Sequence, residues 1–310
     1  MEPSSNTKIY GMDEYFNEII DLYDTKKMPN KILFSGKEGL GKSTLAYHII
    51  NYIFSKNENF SYDKGQHTIN PKNISFKLVQ NGSHPNFFLI KLRDEKKNID
   101  LLQIREMIEY SNKSSFNNKP RLVLIDNVEK LNLNSVNALL KIVEEPNENF
   151  YFILINNSEK KVLSTLKSRC LTFKINFTFD KTITVSNKLL DQNLFDIINH
   201  DLISYYNTPG EIVNLINFSK EKKIDLKNNN LKSLLKLLIS NNYYKKNNFV
   251  GSLIINLIEL YILKEYKVSE TKNSVLKIYH DFINKVHNMK KYNLDEESLF
   301  LEFKSKLLNE

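Results

Sequence analysis

Residues Gly36-Lys37-Glu38-Gly39-Leu40-Gly41-Lys42-Ser43 satisfy the pattern G-x-x-x-x-G-K-[ST]. Glycines at that spacing let a loop wrap until successive backbone N–H groups converge on one anion. A helix opening at the end of the loop adds the partial positive charge of its N-terminus. A lysine placed as Lys42 is reaches the β- and γ-phosphates of a nucleotide, and a hydroxyl placed as Ser43 is ligates Mg²⁺. The implied ligand is ATP or ADP with Mg²⁺, cradled by Gly36, Gly39, Gly41, Lys42, Ser43 and Thr44. A Gly-rich turn also arises by chance; what gives this one meaning is a strand before it and a helix after it.

Asp126 closes the apolar run Leu122-Val123-Leu124-Ile125 and is the expected carboxylate beside the Mg²⁺. A charged strand end is also an ordinary exposed boundary, so the metal role of Asp126 depends on the loop. Hydrolytic P-loop proteins usually place a glutamate directly after this aspartate to polarise the attacking water. Here the next residue is Asn127, and an amide offers no basic lone pair near neutral pH. Glu129 follows in an expected turn. Asn156, or Asn157 beside it, ends a further apolar run where a side chain could bond the γ-phosphate or the lytic water. A strand-terminal asparagine is equally a turn former.

Strands are expected over Ile32 to Ser35, Phe87 to Ile90, Arg121 to Asp126 and Tyr151 to Asn156. Helices are expected over Lys42 to Phe54, Leu101 to Asn112 and Leu133 to Glu145, the last stopped by Pro146. Strand–helix alternation of this kind means βαβ units and a parallel sheet covered on both faces, an α/β fold. After Phe173 the strand signal ends. Helical patterns follow over Leu189 to Asn199, Pro209 to Phe218, Leu231 to Ser240, Val250 to Tyr266, Asn273 to Lys290 and Glu296 to Leu308, with Lys220 to Asn230 as the expected linker.

The chain has 310 residues, 41% hydrophobic and 26% charged, which suits two or three packed domains and excludes wholesale disorder. Lysine and arginine number 44 against 36 acidic residues, a net +8 that suits a polyanion such as DNA or else a solvated surface. Any DNA contact is expected to be phosphate-directed and sequence-independent. Tyr243, Tyr244, Tyr261, Tyr266 and Tyr279 fall in helical patterns and read as core or interface anchors. The single cysteine, Cys170, closes no internal disulfide and builds no cysteine zinc site. With no signal-like opening and no long apolar run, the expected location is the cytoplasm, away from any membrane.

Several segments in order resemble the AAA+ clamp-loader subunits of bacterial DNA polymerase III. They are Tyr10-Gly11-Met12, Met28 to Gly36, His84-Pro85-Asn86, Gln103-Ile104-Arg105, Asn137-Ala138-Leu139-Leu140-Lys141 through Glu144-Glu145-Pro146, and Ser168-Arg169-Cys170. Thr208-Pro209-Gly210 and Asn293-Leu294-Asp295 add weaker likeness. The resemblance implies three domains: an AAA+ nucleotide-binding base over 1–173, a small helical lid over 174–222, and an all-α collar over 223–310 that joins subunits into a ring. It implies gamma/tau-like and delta-like partner subunits, a sliding clamp, and primed DNA. It also implies that Arg169 is a trans-acting arginine finger for a neighbour's ATP.

Three departures bear on mechanism. The family often carries a four-cysteine zinc module after the P-loop helix, yet residues 55–83 hold no cysteine, and His67 and His84 are too sparse to replace one. Asn127 stands in for the catalytic glutamate of the hydrolytic subunit. Glu211 follows Gly210 where that subunit carries a sensing arginine. The pattern implies a subunit that holds nucleotide, hydrolyses it poorly and helps its neighbour. A hydrolytically active gamma/tau-like ATPase and a P-loop enzyme of another class remain the alternatives.

Overall fold

The computed structural model describes residues 2–93, 96–112, 119–144, 149–157, 164–246, 248–292 and 294–307. Glu145, Pro146 and Asn293 of the motifs above lie outside the described residues. Two compact units emerge, one of Met1–Val185 with Thr208–Gly210, the other of Ser186–Asn207 with Glu211–Glu310.

The first unit is a parallel sheet of five strands: β1 (Lys31–Ser35), β2 (Phe87–Ile90), β3 (Arg121–Ile125), β4 (Phe150–Asn156) and β5 (Leu171–Lys174). Their order across the sheet is β2-β3-β4-β1-β5. Every residue of β3 is buried, as befits a central strand covered on both faces. Side chains alternate between two cores. Ile32, Phe34, Leu122, Leu124, Ile153 and Ile155 point to the face holding α1 (Asp13–Asp24), α2 (Lys42–Ser55) and α3 (Ile74–Gln80). Leu33, Val123, Ile125, Phe152 and Leu154 point to the face holding α4 (Leu101–Ser111), α5 (Leu133–Glu144) and α6 (Ser164–Lys167). The register sets Ser35 opposite Asn156 and Ile125 opposite Leu154, so β1, β3 and β4 end together at one edge of the sheet. Open α/β sheets bind ligands at that edge.

Most elements expected from periodicity form with ends shifted by at most two residues, while the helix that opens at Pro209 runs to Lys222, four residues past the expected Phe218. The expected helix over Leu189 to Asn199 does not form as one piece. Here α7 (Phe179–Leu190) stops, Asp191 takes a left-handed φ of 54°, and a short α8 (Leu194–Ile197) restarts the helix under the Asn193 side-chain cap. Elements that escaped the sequence reading include α1, α3, α6, β5 and most of α7.

The second unit is helical. Beyond α9 (Pro209–Lys222) come α10 (Leu231–Ser240), α11 (Asn248–Val268), α12 (Lys272–Tyr292) and α13 (Glu296–Leu307). Here α11 packs on α10 and α12, while α13 packs on α10 and α12. Tyr244 meets Phe300 edge-on at 5.0 Å and Tyr261 meets Phe303 at 5.9 Å, both inside this helical packing. The expected linker is no solvated tether, because Ile224 and Leu226 are buried and the Leu226 carbonyl accepts from the Asn199 N–H at 2.9 Å. Among the described residues no helix is long and apolar enough to cross a membrane.

Candidate nucleotide site and an exposed arginine

The Gly-rich loop leaves β1 and opens α2, so the context the motif requires is present. Gly39 and Gly41 have φ of 81° and 89°, values that L side chains rarely adopt, and Gly41 caps the helix in the left-handed region. Lys42 is buried, and its Nζ donates to the carbonyl oxygens of Gly36 (2.8 Å) and Lys37 (2.6 Å). Burial lowers its pKa to about 8 against the opposing field of Asp126. The Ser43 hydroxyl donates to Asp126 Oδ2 at 3.0 Å. Burial raises the Asp126 pKa; the Ser43 hydrogen bond and the Lys42 charge work against that rise. Thr44 Oγ1 accepts from Asn6 Nδ2 at 3.2 Å, which ties the chain's N-terminal segment to the start of α2.

Asn127 sits in the left-handed region at φ 61°, where asparagine is among the tolerated residues. Its Oδ1 accepts from Asn157 Nδ2 at 2.7 Å. Glu129 lies in the single turn Val128–Lys130, its Oε2 accepting from the Asn157 backbone N–H at 3.3 Å. Asn156 Nδ2 donates to Ser35 Oγ at 3.3 Å, so the two asparagines divide the edge: Asn156 serves β1 and Asn157 serves the turn after β3. The pairing of Asn127 with Asn157 was not visible in sequence, because strand register alone brings them together.

Another chain segment meets the loop. The Gly210 N–H donates to the Gly39 carbonyl at 2.9 Å, and a Cβ on Gly210 would stand 2.6 Å from the Gly39 Cα. Glu211 Oε2 accepts from Asn207 Nδ2 at 3.3 Å.

These residues could hold a Mg-nucleotide. The loop has the positive φ values that a phosphate cradle needs, a lysine amino group satisfied by loop carbonyls that an anion can displace, and a hydroxyl–carboxylate pair in the place of a hard cation's oxygen ligands. His84 is stacked on Phe54 at 4.0 Å and bonded to Ser75, and His67 lies against Asn17 and Asp13.

Arg169 is not brought to this site within the chain. It lies just after α6 with its side chain 37% exposed, Nη2 2.7 Å from Glu144 Oε1 and Nη1 donating to the Thr165 carbonyl at 2.7 Å. Cys170 beside it is half-buried against the α5 face of the core, and burial pushes its thiol up to about 11, the behaviour of a small inert hydrophobe.

Comparison with known proteins follows the same lines. The chain is 26% identical over 292 residues to the DNA polymerase III subunit delta' of Buchnera aphidicola subsp. Schizaphis graminum, covering 88% of this chain and 84% of that one. It is 29% identical over 250 residues to the same organism's DNA polymerase III subunit gamma, covering 79% of this chain and 61% of the relative. A solved DNA polymerase III gamma subunit-related protein of Thermotoga maritima overlays with a TM-score of 0.43 at 17% identity, over 84% of this chain and 76% of that one, a likeness too loose to argue from. The family model described as "DNA polymerase III, delta subunit" matches residues 11–178, more than half of the sequence. With its doubly covered parallel sheet and intact phosphate loop, the chain belongs to that family.

Proposed function

We propose that this chain is a clamp-loader subunit that holds nucleotide, hydrolyses it poorly and lends Arg169 to the triphosphate of an adjoining ATPase subunit. In that reading, residues 1–173 are the AAA+ base, 174–222 the lid and 223–310 the collar that joins gamma/tau-like and delta-like partners. The assembly opens a sliding clamp on primed DNA, and the net +8 charge meets DNA phosphates without reading sequence.

One observation carries the proposal: the residue after Asp126 is an amide already hydrogen-bonded to Asn157, and Glu129 in the turn that follows accepts from the Asn157 backbone N–H. The Asn127 amide offers no basic lone pair to accept a proton from water, and the Glu129 carboxylate gives one oxygen to the Asn157 backbone. The cradle residues Gly36, Gly39, Gly41, Lys42, Ser43 and Thr44 bind the phosphates, with Ser43 and Asp126 beside Mg²⁺ and Asn156 at the adjoining strand end. Bound Mg²⁺ supplies charge neutralisation between the phosphates. Lys42 exchanges its loop carbonyls for phosphate oxygens, and Asp126 releases the Ser43 hydroxyl.

The similarity to a gamma subunit favours a second reading, an active ATPase of the same assembly. Steady-state phosphate release separates the two. The isolated chain is expected to turn over well below roughly 1 s⁻¹, the low end of ordinary enzyme rates. In a reconstituted loader, Arg169→Ala is expected to slow ATP turnover by on the order of 10³-fold, as loss of an arginine finger does. Turnover by the isolated chain above that threshold, or an unchanged rate with Arg169→Ala, would overturn the proposal.

A further inference from the structure

The guanidinium of Arg169 is held from two directions. Its Nη2 meets Glu144 Oε1 at 2.7 Å, and its Nη1 donates to the Thr165 carbonyl at 2.7 Å. Glu144 is the last residue of α5, and Thr165 lies on α6. Both helices are rooted in one core: Leu139 and Val143 of α5 and Leu166 of α6 are buried in the same cluster, with Cys170 packed against it. Close packing leaves Glu144 and Thr165 no freedom to drift apart unless that core opens.

The pair is poorly placed to stabilise the fold. The side chains of Arg169 and Glu144 are 37% and 49% exposed, and ion pairs so exposed contribute little. Orientation is where the pair has effect. Arginine is long and rich in rotamers, and fixing its fork beforehand removes entropy that would otherwise be lost on meeting an anion. Each terminal nitrogen carries two N–H bonds and spends one on the partners described, so further donors remain for a second anion.

We infer that Glu144 is a positioning residue for Arg169, holding the guanidinium on the surface in the orientation it presents to the neighbouring subunit's triphosphate. This rests on the reading of Arg169 given above.

A double-mutant cycle in the reconstituted loader, with ATP turnover as the readout, tests it. Glu144→Ala is expected to lower kcat about tenfold, the scale of one charge-assisted hydrogen bond, and to leave KM for ATP unchanged. Glu144→Gln keeps the shape and an acceptor oxygen, restores part of the loss, and carries the test if the alanine variant does not fold. In an Arg169→Ala background, Glu144→Ala is expected to do nothing more. No effect of Glu144→Ala beside an intact Arg169, or the same loss in both backgrounds, would overturn the positioning role. If Arg169→Ala alone leaves turnover unchanged, the finger reading fails first, and the role of Glu144 falls with it.

Discussion

Lys42 keeps its ammonium between the carbonyls of Gly36 and Lys37, in a place where burial lowers its pKa to about 8. Phosphate oxygens at Nζ favour the charged form and raise that pKa toward or above the ordinary lysine value. The sign follows: above about pH 8 the free chain has shed the proton that the complex needs, so binding takes up a proton and affinity falls as pH rises. Calorimetry of ATP binding at pH 8.5 in buffers of different ionisation enthalpy is expected to report uptake of most of one proton, fading toward pH 7. Lys42→Ala is expected to abolish binding; equal affinity at pH 7 and 9 would show that another group supplies the charge. Lys42, Ser43 and Asp126 were legible in the sequence because a contiguous motif and one apolar run bring them into register. The Asn127–Asn157 and Glu144–Arg169 pairs were not, since the first joins the ends of neighbouring strands and the second joins two helices packed in one core.

Between α2 and β2 a carboxylate does the holding. Glu58 accepts from Ser75 Oγ (2.6 Å), Ser75 N (3.1 Å), Asn73 Nδ2 (3.0 Å) and Lys119 Nζ (3.0 Å). Asn73 also caps α3 and takes a bond from Asn51 of α2. Burial opposes ionisation of Glu58, yet Ser75 and Lys119 together hold its pKa below the usual value. Its stabilising effect is therefore present above the ordinary carboxylate pKa and lost as pH falls through the depressed one. Glu58→Gln is expected to cost roughly 2 kcal/mol in urea unfolding at pH 7. The gap from the parent should close in acid; a gap that persists would mean that charge is not the cause. At the other end of the loop, Gly210→Ala forces a Cβ to within 2.6 Å of Gly39 Cα, so one backbone must shift, and nucleotide titration is expected to show weaker binding. Neither device was readable beforehand. The central strands were, from apolar runs, but α3 spans one face too briefly for periodicity to speak, and β5 buries only Phe173. In α1 the spacing of Phe16, Ile19 and Ile20 fits a helix, but it sits among acidic residues and, among the described residues, no strand precedes it to frame it.

At the scale of the chain, the second unit is tied across residue 222 by contacts that sequence alone does not reveal. Phe218 meets Tyr243 edge-on at 5.6 Å, and Asn199 N donates to the Leu226 carbonyl at 2.9 Å. Lys264 Nζ lies 2.7 Å from the Asp201 carboxylate and 3.0 Å from its carbonyl. Leu194, Leu202, Ile216 and Phe218 are buried within a unit that continues to the end of the chain. Ending the chain at residue 222 therefore removes much of the core these side chains need, and each large apolar group left exposed forfeits roughly 1.5–3 kcal/mol. The first unit keeps its sheet and both cores through Val185. Chains ending at 190 and at 222 are thus expected to unfold with nearly the same amplitude in urea, since within 191–222 only Thr208–Gly210 belongs to the first unit and the rest adds no cooperative structure of its own. The longer one should bind a hydrophobic dye more strongly. A larger, still cooperative transition in the longer chain would show that α9 and its neighbours fold without the helices that follow. It would also make residue 222 a usable cut for testing assembly, which otherwise calls for substitutions on the exposed faces of α12 and α13.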